Sequence, residues 1–279
     1  MYDPIDVVLH KSAKPQLRHL IAEPGRAVSE LFTLGVLWPL LDLKTQGDGH
    51  DVLVLPGFLG SDLSTSAVRG YLNRHGFAAL PWLQGRNTGR PGILAGLHYR
   101  FLQVSDRSGA PISLVGHSLG GVFARELARQ YPDRVRSVVT LGSPFGTTDG
   151  AAVVQVVKSA FERIAQQSVA QLRRELTQLD PRLPPGVPAT AIFSRSDGVV
   201  HWQSCLEQDT AQSENIEVYG SHCGLVVNPS ALVAMVDRLA QPPGDWQKFA
   251  HTGTMPGVRF PSHTQANMAS DLEQRNVSA

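Results

Sequence analysis

Ser118 has the sequence context of a catalytic nucleophile. It stands between Gly116 and Gly120 in a Gly-x-Ser-x-Gly motif, after an apolar run that predicts a strand. In a tight turn from strand to helix, only small residues fit two positions either side of the serine, and its hydroxyl is lifted clear of the sheet. Apolar residues then recur at helical spacing until Pro132 ends the helix. The motif therefore predicts a reactive serine rather than a structural turn that contains one by chance.

A serine hydroxyl needs a base to take its proton, and His222 is the predicted base. In proteins built around such a turn, the base lies in a loop after the last strands. Of the ten histidines, His201 and His222 fall in that region, and His117 leaves the turn in another direction. His222 directly follows a predicted strand and has small neighbours, so we expect it at the top of a loop. The alternative is a structural loop histidine.

Asp197 is the predicted acid that orients the histidine. It lies in an Asp-Gly turn after the preceding strand, so Ser118, Asp197 and His222 follow the chain order that this turn requires. The alternative is a turn aspartate that bonds only its own backbone. Asp209 and Glu214 are weaker substitutes because they lie beyond the apex of the loop.

Backbone N–H groups must stabilise the negative charge that develops on oxygen during acyl transfer. The first predicted donor is the N–H of Leu119, the residue after the nucleophile. The second is predicted in the loop after Leu55, where Gly57 lets the backbone turn and favours the N–H of Phe58 over that of Leu59. The alternative is that the glycines of this loop serve only its own turn.

Apolar segments along the chain predict the elements that position these residues. Short apolar runs alternate with helical patterns, which is typical of an α/β protein with a parallel sheet covered by helices on both faces. Ser61 or Asp62 is available as the N-cap of the first helix after the first strand. The predicted helices span about 61–75 and 92–106, and the predicted strands are Asp51–Leu55, Phe77–Trp82, Ile112–Val115, Val135–Leu141, Ala189–Phe193 and Ile216–Tyr219.

One insertion interrupts the alternation of strands and helices. Between Leu141 and Ala189 lie 47 residues, whereas an ordinary crossover needs a dozen or more. Apolar residues within it follow helical spacing in two parts, so a helical cap at residues 149–188 is preferred to a long crossover helix. We expect the cap to cover the Ser118 pocket and to favour medium to long acyl chains. Its basic residues are expected on the solvent side: Lys158, Arg163, Arg173 and Arg174.

These patterns divide the chain into three regions. Residues 1–50 form a predicted N-terminal helical extension, residues 51–240 hold the sheet, and residues 241–279 form a partly loose tail. Within the extension, residues 31–41 carry no charge but are too few to span a bilayer. A helix packed on the domain is preferred to an interfacial helix, so contact with a membrane surface is not favoured.

Composition and charge narrow the class of protein. The 279 residues are 42% hydrophobic and 18% charged, as in a soluble globular enzyme. The net charge of +1 gives no reason to expect a nucleic acid partner. The first residues show no basic region followed by an apolar run, so a cytoplasmic location is expected.

Five segments of the chain resemble a known family. VLVLPGFLGSD, LVGHSLGGVFAREL, VVTLGSPFGT, SRSDGVVHW and GSHCGLVVNP are similar to α/β-hydrolases of the lipase and esterase type, especially bacterial triacylglycerol lipase-like hydrolases. The resemblance runs from about Asp51 to Leu239, and its motifs are more specific to the superfamily than to a substrate. It implies the α/β-hydrolase fold, oxyanion donors at Phe58 and Leu119, and a triad of Ser118, Asp197 and His222.

The resemblance also bears on the two cysteines. Some related lipases carry a disulfide near the histidine loop, which implies a possible bridge between Cys205 and Cys223. Reduced thiols are the alternative in a cytoplasmic enzyme. A zinc site needs more ligands than two cysteines and the nearby His201, so no metal is expected.

The expected reaction is hydrolysis of a carboxylic ester, from a small molecule or a lipid, through an acyl-enzyme on Ser118 and without a cofactor. Two alternatives, acyl transfer to another alcohol or thiol and thioester hydrolysis, use the same residues. A non-catalytic binding protein on the same fold is a third alternative, which the complete triad disfavours.

Overall fold

A single parallel sheet forms the centre of the protein. The computed structural model describes residues 14–41, 45–146, 152–176, 180, 182–250, 255 and 257–261. Within them, six strands pair in the order β2-β1-β3-β4-β5-β6, and each neighbouring pair is parallel. The strands are β1 Asp51–Leu55, β2 Ala78–Pro81, β3 Ile112–His117, β4 Val135–Leu141, β5 Ala189–Phe193 and β6 Ser213–Glu217.

Helices cover both faces of this sheet, as the sequence predicts. Val52 and Val54 point into a core shared with α2 and α7, whereas Leu53 and Leu55 point into a core shared with α3 and α4. Successive side chains of a strand alternate between faces, so this division places a helical layer on each side. The helices are α1 Leu17–Leu37, α2 Ser66–Arg74, α3 Pro91–Ser108, α4 Leu119–Gln130, α5 Gln155–Ala165, α6 Val169–Leu176 and α7 Pro229–Leu239.

Several element boundaries differ from the sequence prediction by one or two residues, and two starting points differ by three or more. The first helix after β1 begins at Ser66, with Thr65 as N-cap, and not near Ser61. Asp62, one of the predicted caps, instead accepts hydrogen bonds from the backbone N–H of Trp82 (3.0 Å), across the loop after β2. The last strand, β6, begins at Ser213, three residues before the predicted Ile216. Its first residues are polar but buried, and an apolar pattern does not reveal them.

The N-terminal helix α1 has an unusual orientation. Its charged Glu23 is buried, with 5% of its surface exposed, whereas Leu17, Ile21, Val28 and Phe32 are between 68% and 73% exposed. The helix packs against α7 and the short 3₁₀ segment at residues 223–227. Among the described residues, no helix has the length and hydrophobicity to cross a membrane.

The insertion after β4 contains two helices beside Ser118. α5 and α6 meet at Gln166, which has a positive φ of 58°. Phe161 of α5 packs edge-to-face on Phe58 with ring centroids 5.3 Å apart, and Phe161 and Leu172 share a core cluster with α4. Parts of three predicted regions lie outside the described residues: 1–13 and 42–44 of the extension, 149–151, 177–179 and 181 of the cap, and 251–254, 256 and 262–279 of the tail.

Candidate active site

Ser118 occupies a strained turn between β3 and α4. Its backbone has φ 51° and ψ −119°, a combination that costs a non-glycine residue free energy and that is found mainly at functional sites. A Cβ on Gly116 would lie 2.3 Å from the Cα of Gly121, and a Cβ on Gly120 would lie 2.3 Å from the carbonyl oxygen of Leu55. Both predicted glycines are therefore required by close backbone contacts, for the reason given by the sequence argument.

Ser118, His222 and Asp197 form a continuous hydrogen-bonded chain. Nε2 of His222 lies 3.0 Å from Oγ of Ser118, and Nδ1 of His222 lies 2.6 Å from Oδ2 of Asp197. Because an ionised carboxylate only accepts, Nδ1 carries the proton and Nε2 is left to accept the serine hydroxyl. Burial lowers the pKa of His222, but the Asp197 carboxylate outweighs it and raises the pKa above its ordinary value.

The carboxylate of Asp197 bonds both to its own turn and to His222. One carboxylate oxygen, Oδ1, accepts the backbone N–H groups of Val199 (2.8 Å) and Val200 (2.7 Å), as a turn aspartate does. The other oxygen is bonded to His222. The turn therefore fixes the orientation of the carboxylate that meets the histidine.

The two substitute acids have other partners. Glu214 accepts hydrogen bonds from the Arg238 guanidinium (2.8 Å) and the Phe249 backbone N–H (2.7 Å). Asp209 pairs with Lys248 at 2.5 Å. Neither carboxylate is bonded to His222.

The loop after β1 lies directly against the turn of the nucleophile. A Cβ on Gly57 would lie 3.1 Å from the Cβ of Ser118. The N–H of Leu59 donates to the carbonyl of Asn87 at 2.7 Å, so it is committed elsewhere. Within the described part of the chain, the N–H groups of Phe58 and Leu119 donate to no protein acceptor. Of the N–H groups of Phe58 and Leu59, therefore, that of Phe58 is free to donate to a bound ligand.

Asn87, which sequence reasoning missed, holds this loop in place. Its side chain donates to the carbonyl of Pro56 (2.8 Å), and its backbone N–H donates to the carbonyl of Gly60 (2.8 Å). With the bond from Leu59, three hydrogen bonds connect one buried asparagine to the loop that carries Phe58. Asparagine among glycines resembles ordinary turn sequence, so nothing local distinguishes it.

His117 and His201 do not reach the serine hydroxyl. Nε2 of His117 donates to the backbone carbonyl of His222 (3.0 Å), and burial lowers the pKa of His117 to about 4. Burial also lowers the pKa of His201, whose backbone N–H donates to Ala152 (2.8 Å). Both imidazoles are neutral at neutral pH.

The implied disulfide is wrong, because both cysteines are free. Cys205 is buried in a cluster with Phe193 and Val200, whereas Cys223 is exposed on the histidine loop. A disulfide requires both side chains to point into the same small space, and these two lie in different surroundings. Partial desolvation of the thiol, together with the nearby carboxylates of Glu23 and Asp197, raises the pKa of Cys223 to about 11, so its thiol is neutral. In the described ranges, no group of three or more His, Cys, Asp or Glu could hold a metal ion.

An apolar cavity of about 80 Å³ opens beside Ser118. Two basic residues of the insertion, Lys158 and Arg173, line it, so their predicted place on the solvent side is wrong. The guanidinium of Arg173 donates to the carbonyl of Pro144, which draws it inward, and burial lowers the pKa of Arg173 to about 10. Arg163 and Arg174 are exposed, as predicted. The apolar lining includes Phe58, Val157, Phe161, Val169, Leu172 and Val200.

The helix α1 provides further side chains that the sequence prediction missed. Glu23 accepts hydrogen bonds from the Asp197 loop and from the His222 loop, and Arg26 donates to the backbone carbonyl of Ser196 at 2.6 Å. These contacts join segments about 170 to 200 residues apart in the chain, and a local pattern carries no signal for them.

Comparisons with known proteins agree with this architecture. A sequence profile described as "alpha/beta hydrolase fold" matches residues 108–160, which include the turn of Ser118. No curated protein matches the chain significantly. Among solved structures, lipase B from Aspergillus fumigatus aligns with a TM-score of 0.56 and 19% identity, over 73% of this chain and 56% of that chain. This chain therefore spans little more than half the length of that lipase.

Two pyrethroid hydrolases are also similar in structure. The enzyme from Sphingobium faniae JZ-2 aligns with a TM-score of 0.51 and 16% identity, over 71% of this chain and 99% of that chain. The hydrolase PytH aligns with a TM-score of 0.51 and 18% identity, over 71% of this chain and 99% of that chain. At these identities the likeness is one of fold.

Proposed function

We propose that this chain, which has the α/β-hydrolase fold, is a serine hydrolase that cleaves carboxylic esters. The observation that carries the proposal is the hydrogen-bonded chain from Asp197 through His222 to Ser118, with distances of 2.6 Å and 3.0 Å. A hydroxyl, an imidazole and a carboxylate in this order are the parts needed to activate a serine.

The proposed reaction has two halves. Oγ of Ser118 attacks the ester carbonyl carbon while Nε2 of His222 takes the hydroxyl proton, and Asp197 stabilises the resulting imidazolium. The tetrahedral intermediate then collapses, the bond to the alcohol oxygen breaks, and His222 returns its proton to that alcohol. Water, deprotonated by His222, attacks the acyl-enzyme in the same way and releases the acid and the free serine.

The two available backbone N–H groups support this reaction. The N–H groups of Phe58, in the loop that lies against Ser118, and of Leu119, which follows Ser118, have no protein acceptor among the described residues. Preorganised donors of this kind stabilise the negative oxygen of the tetrahedral intermediate. We assign them as the oxyanion hole.

The cavity supports an ester with an apolar acyl group. Valine, leucine and phenylalanine side chains dominate its lining, and five of them come from the insertion: Val153, Val157, Phe161, Val169 and Leu172. Burial of methylene groups against such side chains favours binding by about 0.8 kcal/mol each. We therefore propose that residues 149–188 act as a cap, and that medium to long acyl chains are preferred to acetate.

The test combines covalent labelling with a substrate series. Purified protein is treated with a fluorophosphonate, which reacts with activated serines, and assayed on p-nitrophenyl esters of increasing acyl length. We expect labelling at Ser118 and ester hydrolysis in the wild type, neither in Ser118→Ala, and both in the control Ser29→Ala, whose side chain is exposed on α1. Labelling that persists in Ser118→Ala, or a wild type that neither labels nor hydrolyses any ester, would overturn the proposal.

A further inference from the structure

We propose that Glu23 of α1 is a positioning residue whose carboxylate ties the Asp197 loop to the His222 loop and thereby keeps the two side chains aligned. The inference rests on the serine hydrolase function proposed above. It assigns a role in catalysis to the N-terminal helix, which lies outside the sheet domain.

The carboxylate of Glu23 bonds to both loops at their functional residues. Its Oε1 accepts the backbone N–H of Gly198 (2.8 Å), the neighbour of Asp197, and the backbone N–H of His222 itself (2.9 Å). Its Oε2 accepts the backbone N–H of Cys223 at 3.3 Å. Hydrogen bonds to a buried charged acceptor are stronger than those between neutral groups. One side chain therefore fixes the spacing between the acid and the base.

Two neighbours on the same face of α1 extend this connection. Arg26 donates to the carbonyl oxygen and to Oγ of Ser196, at 2.6 Å and 2.7 Å. Ser196 lies in the loop that carries Asp197, called the acid loop below. Glu30 accepts the backbone N–H of Ser221 at 2.7 Å, in the histidine loop. Positions three, four and seven apart share one face of a helix, so Glu23, Arg26 and Glu30 form a continuous polar face against the two loops.

The orientation of α1 argues against a role in core packing alone. A surface helix ordinarily turns its apolar face to the core, but here the polar face is turned inward and large apolar residues such as Ile21 and Phe32 are exposed. The acid loop also lies directly on the helix backbone, because a Cβ on Gly198 would come within 2.5 Å of the His19 carbonyl. The Asp-Gly pair of the acid loop thus fits a docking site for α1.

The charges around His222 make the pH dependence of kcat/KM a second test of the role of Glu23. Asp197 and Glu23 raise the pKa of His222, and the imidazole of His117 faces it from the turn of the nucleophile. The charged and titratable groups around Glu23 are His19, Arg26 and Glu30 on its own helix, and Asp197, His222 and Cys223 on the two loops. Removal of the Glu23 charge should lower the pKa of His222 and move the acid limb of kcat/KM to lower pH.

Two substitutions separate geometry from charge. Glu23→Gln keeps the size of the side chain but removes the charge and places an NH₂ group where the carboxylate accepts. Glu23→Asp keeps the charge, but the shorter side chain cannot reach both loops. We expect kcat to fall between about 10- and 100-fold in both variants, the scale of effect of misaligned reacting groups, with KM changed less than about twofold. The acid limb should move to lower pH in Glu23→Gln and stay near its wild-type position in Glu23→Asp.

A double substitution tests whether Glu23 acts through the acid–base pair. If it does, Glu23→Gln should cost little further activity once Asp197→Asn has removed the carboxylate that it aligns, since coupled residues are not additive. Independent, multiplicative losses would overturn the inference, because they describe a general loss of structure. Wild-type kcat and an unmoved acid limb in both Glu23 variants would overturn it as well. The control Glu175→Gln, on an exposed side chain of α6, should match the wild type.

The outcome distinguishes this inference from the proposed function. If the wild type neither hydrolyses esters nor labels with a fluorophosphonate, the proposed function fails, and the inference falls with it. If the wild type is active and labels at Ser118 while the Glu23 variants are indistinguishable from it, only the positioning role fails. Thermal unfolding of each variant, monitored by circular dichroism, gives the fraction of protein that is folded. Dividing kcat by this fraction separates loss of folded protein from loss of alignment.

Discussion

Asp197 and His222 are joined by a 2.6 Å hydrogen bond between Oδ2 and Nδ1, although 25 residues separate them in the chain. The pairing of their two strands explains the contact. β5 ends at Phe193 and β6 ends at Glu217, and these two residues are partners in the parallel register. The loops that follow therefore start at the same level of the sheet edge, and a few residues in each suffice to bring the acid and the base together.

Asp197→Asn should reduce kcat by about 10⁴-fold, as the corresponding change does in a protease triad. The amide cannot hold the Nδ1–H tautomer of His222 as a carboxylate does, so Nε2 is no longer reliably the acceptor. The measurement is steady-state hydrolysis of a p-nitrophenyl ester. Asp209→Asn is the matched control, because that carboxylate pairs with Lys248, and a loss of less than tenfold in Asp197→Asn would assign the orienting role to another group.

Asn87→Ala should reduce kcat by roughly 10²-fold, the lower end of the effect of losing one oxyanion donor. The substitution removes the hydrogen bond from the side chain to Pro56, so the N–H of Phe58 is no longer held in position. KM should change less than kcat, because Phe58 is the one residue of this loop in the lining of the cavity and the rest of the lining belongs to other segments. Arg86→Ala, at the exposed neighbouring position, is the control. Unchanged kcat in Asn87→Ala would show that the loop keeps its shape without this side chain.

His117→Gln should make stability less dependent on pH. Burial lowers the pKa of folded His117 to about 4, below the ordinary value of 6.5, so the unfolded chain binds its proton first as pH falls. The wild type should therefore lose stability from this group as pH falls from about 6.5 toward 4, by an amount on the order of 2 kcal/mol. Urea unfolding at pH 7 and pH 4.5 measures the difference, and an equal difference in both proteins would contradict the prediction.

Val157→Trp should shorten the preferred acyl chain. Val157 lines the cavity beside Ser118, and an indole there occupies space that the end of a longer acyl group needs. We expect kcat/KM to fall for octanoate relative to acetate by roughly tenfold or more, since about two methylene contacts are lost. The control is Val156→Trp on the next residue of α5, which is 65% exposed. Parallel acyl-length profiles in the two variants would place the acyl group elsewhere.

The strands along the chain, the turn of Ser118 and the chain order of the three candidate triad residues could be predicted from the amino-acid sequence. These features depend on local chemistry. A strand buried on both faces is continuously apolar, and the turn from β3 to α4 admits only glycine where backbones touch, as at Gly116 and Gly120. Such constraints act on neighbouring residues, so they appear directly in the order of residue types.

Which distant groups contact the candidate site depends on tertiary packing. Glu23 accepts a hydrogen bond from a backbone N–H, and Asn87 donates one to a backbone carbonyl. Because almost every residue offers the same backbone groups, these contacts leave no pattern in the sequence. Arg173 turns into the cavity because a carbonyl of another segment accepts its hydrogen bond. The two cysteines likewise face different surroundings despite their places beside the triad loops. All of these contacts depend on packing between segments far apart in the chain, so the local periodicity of the sequence does not predict them.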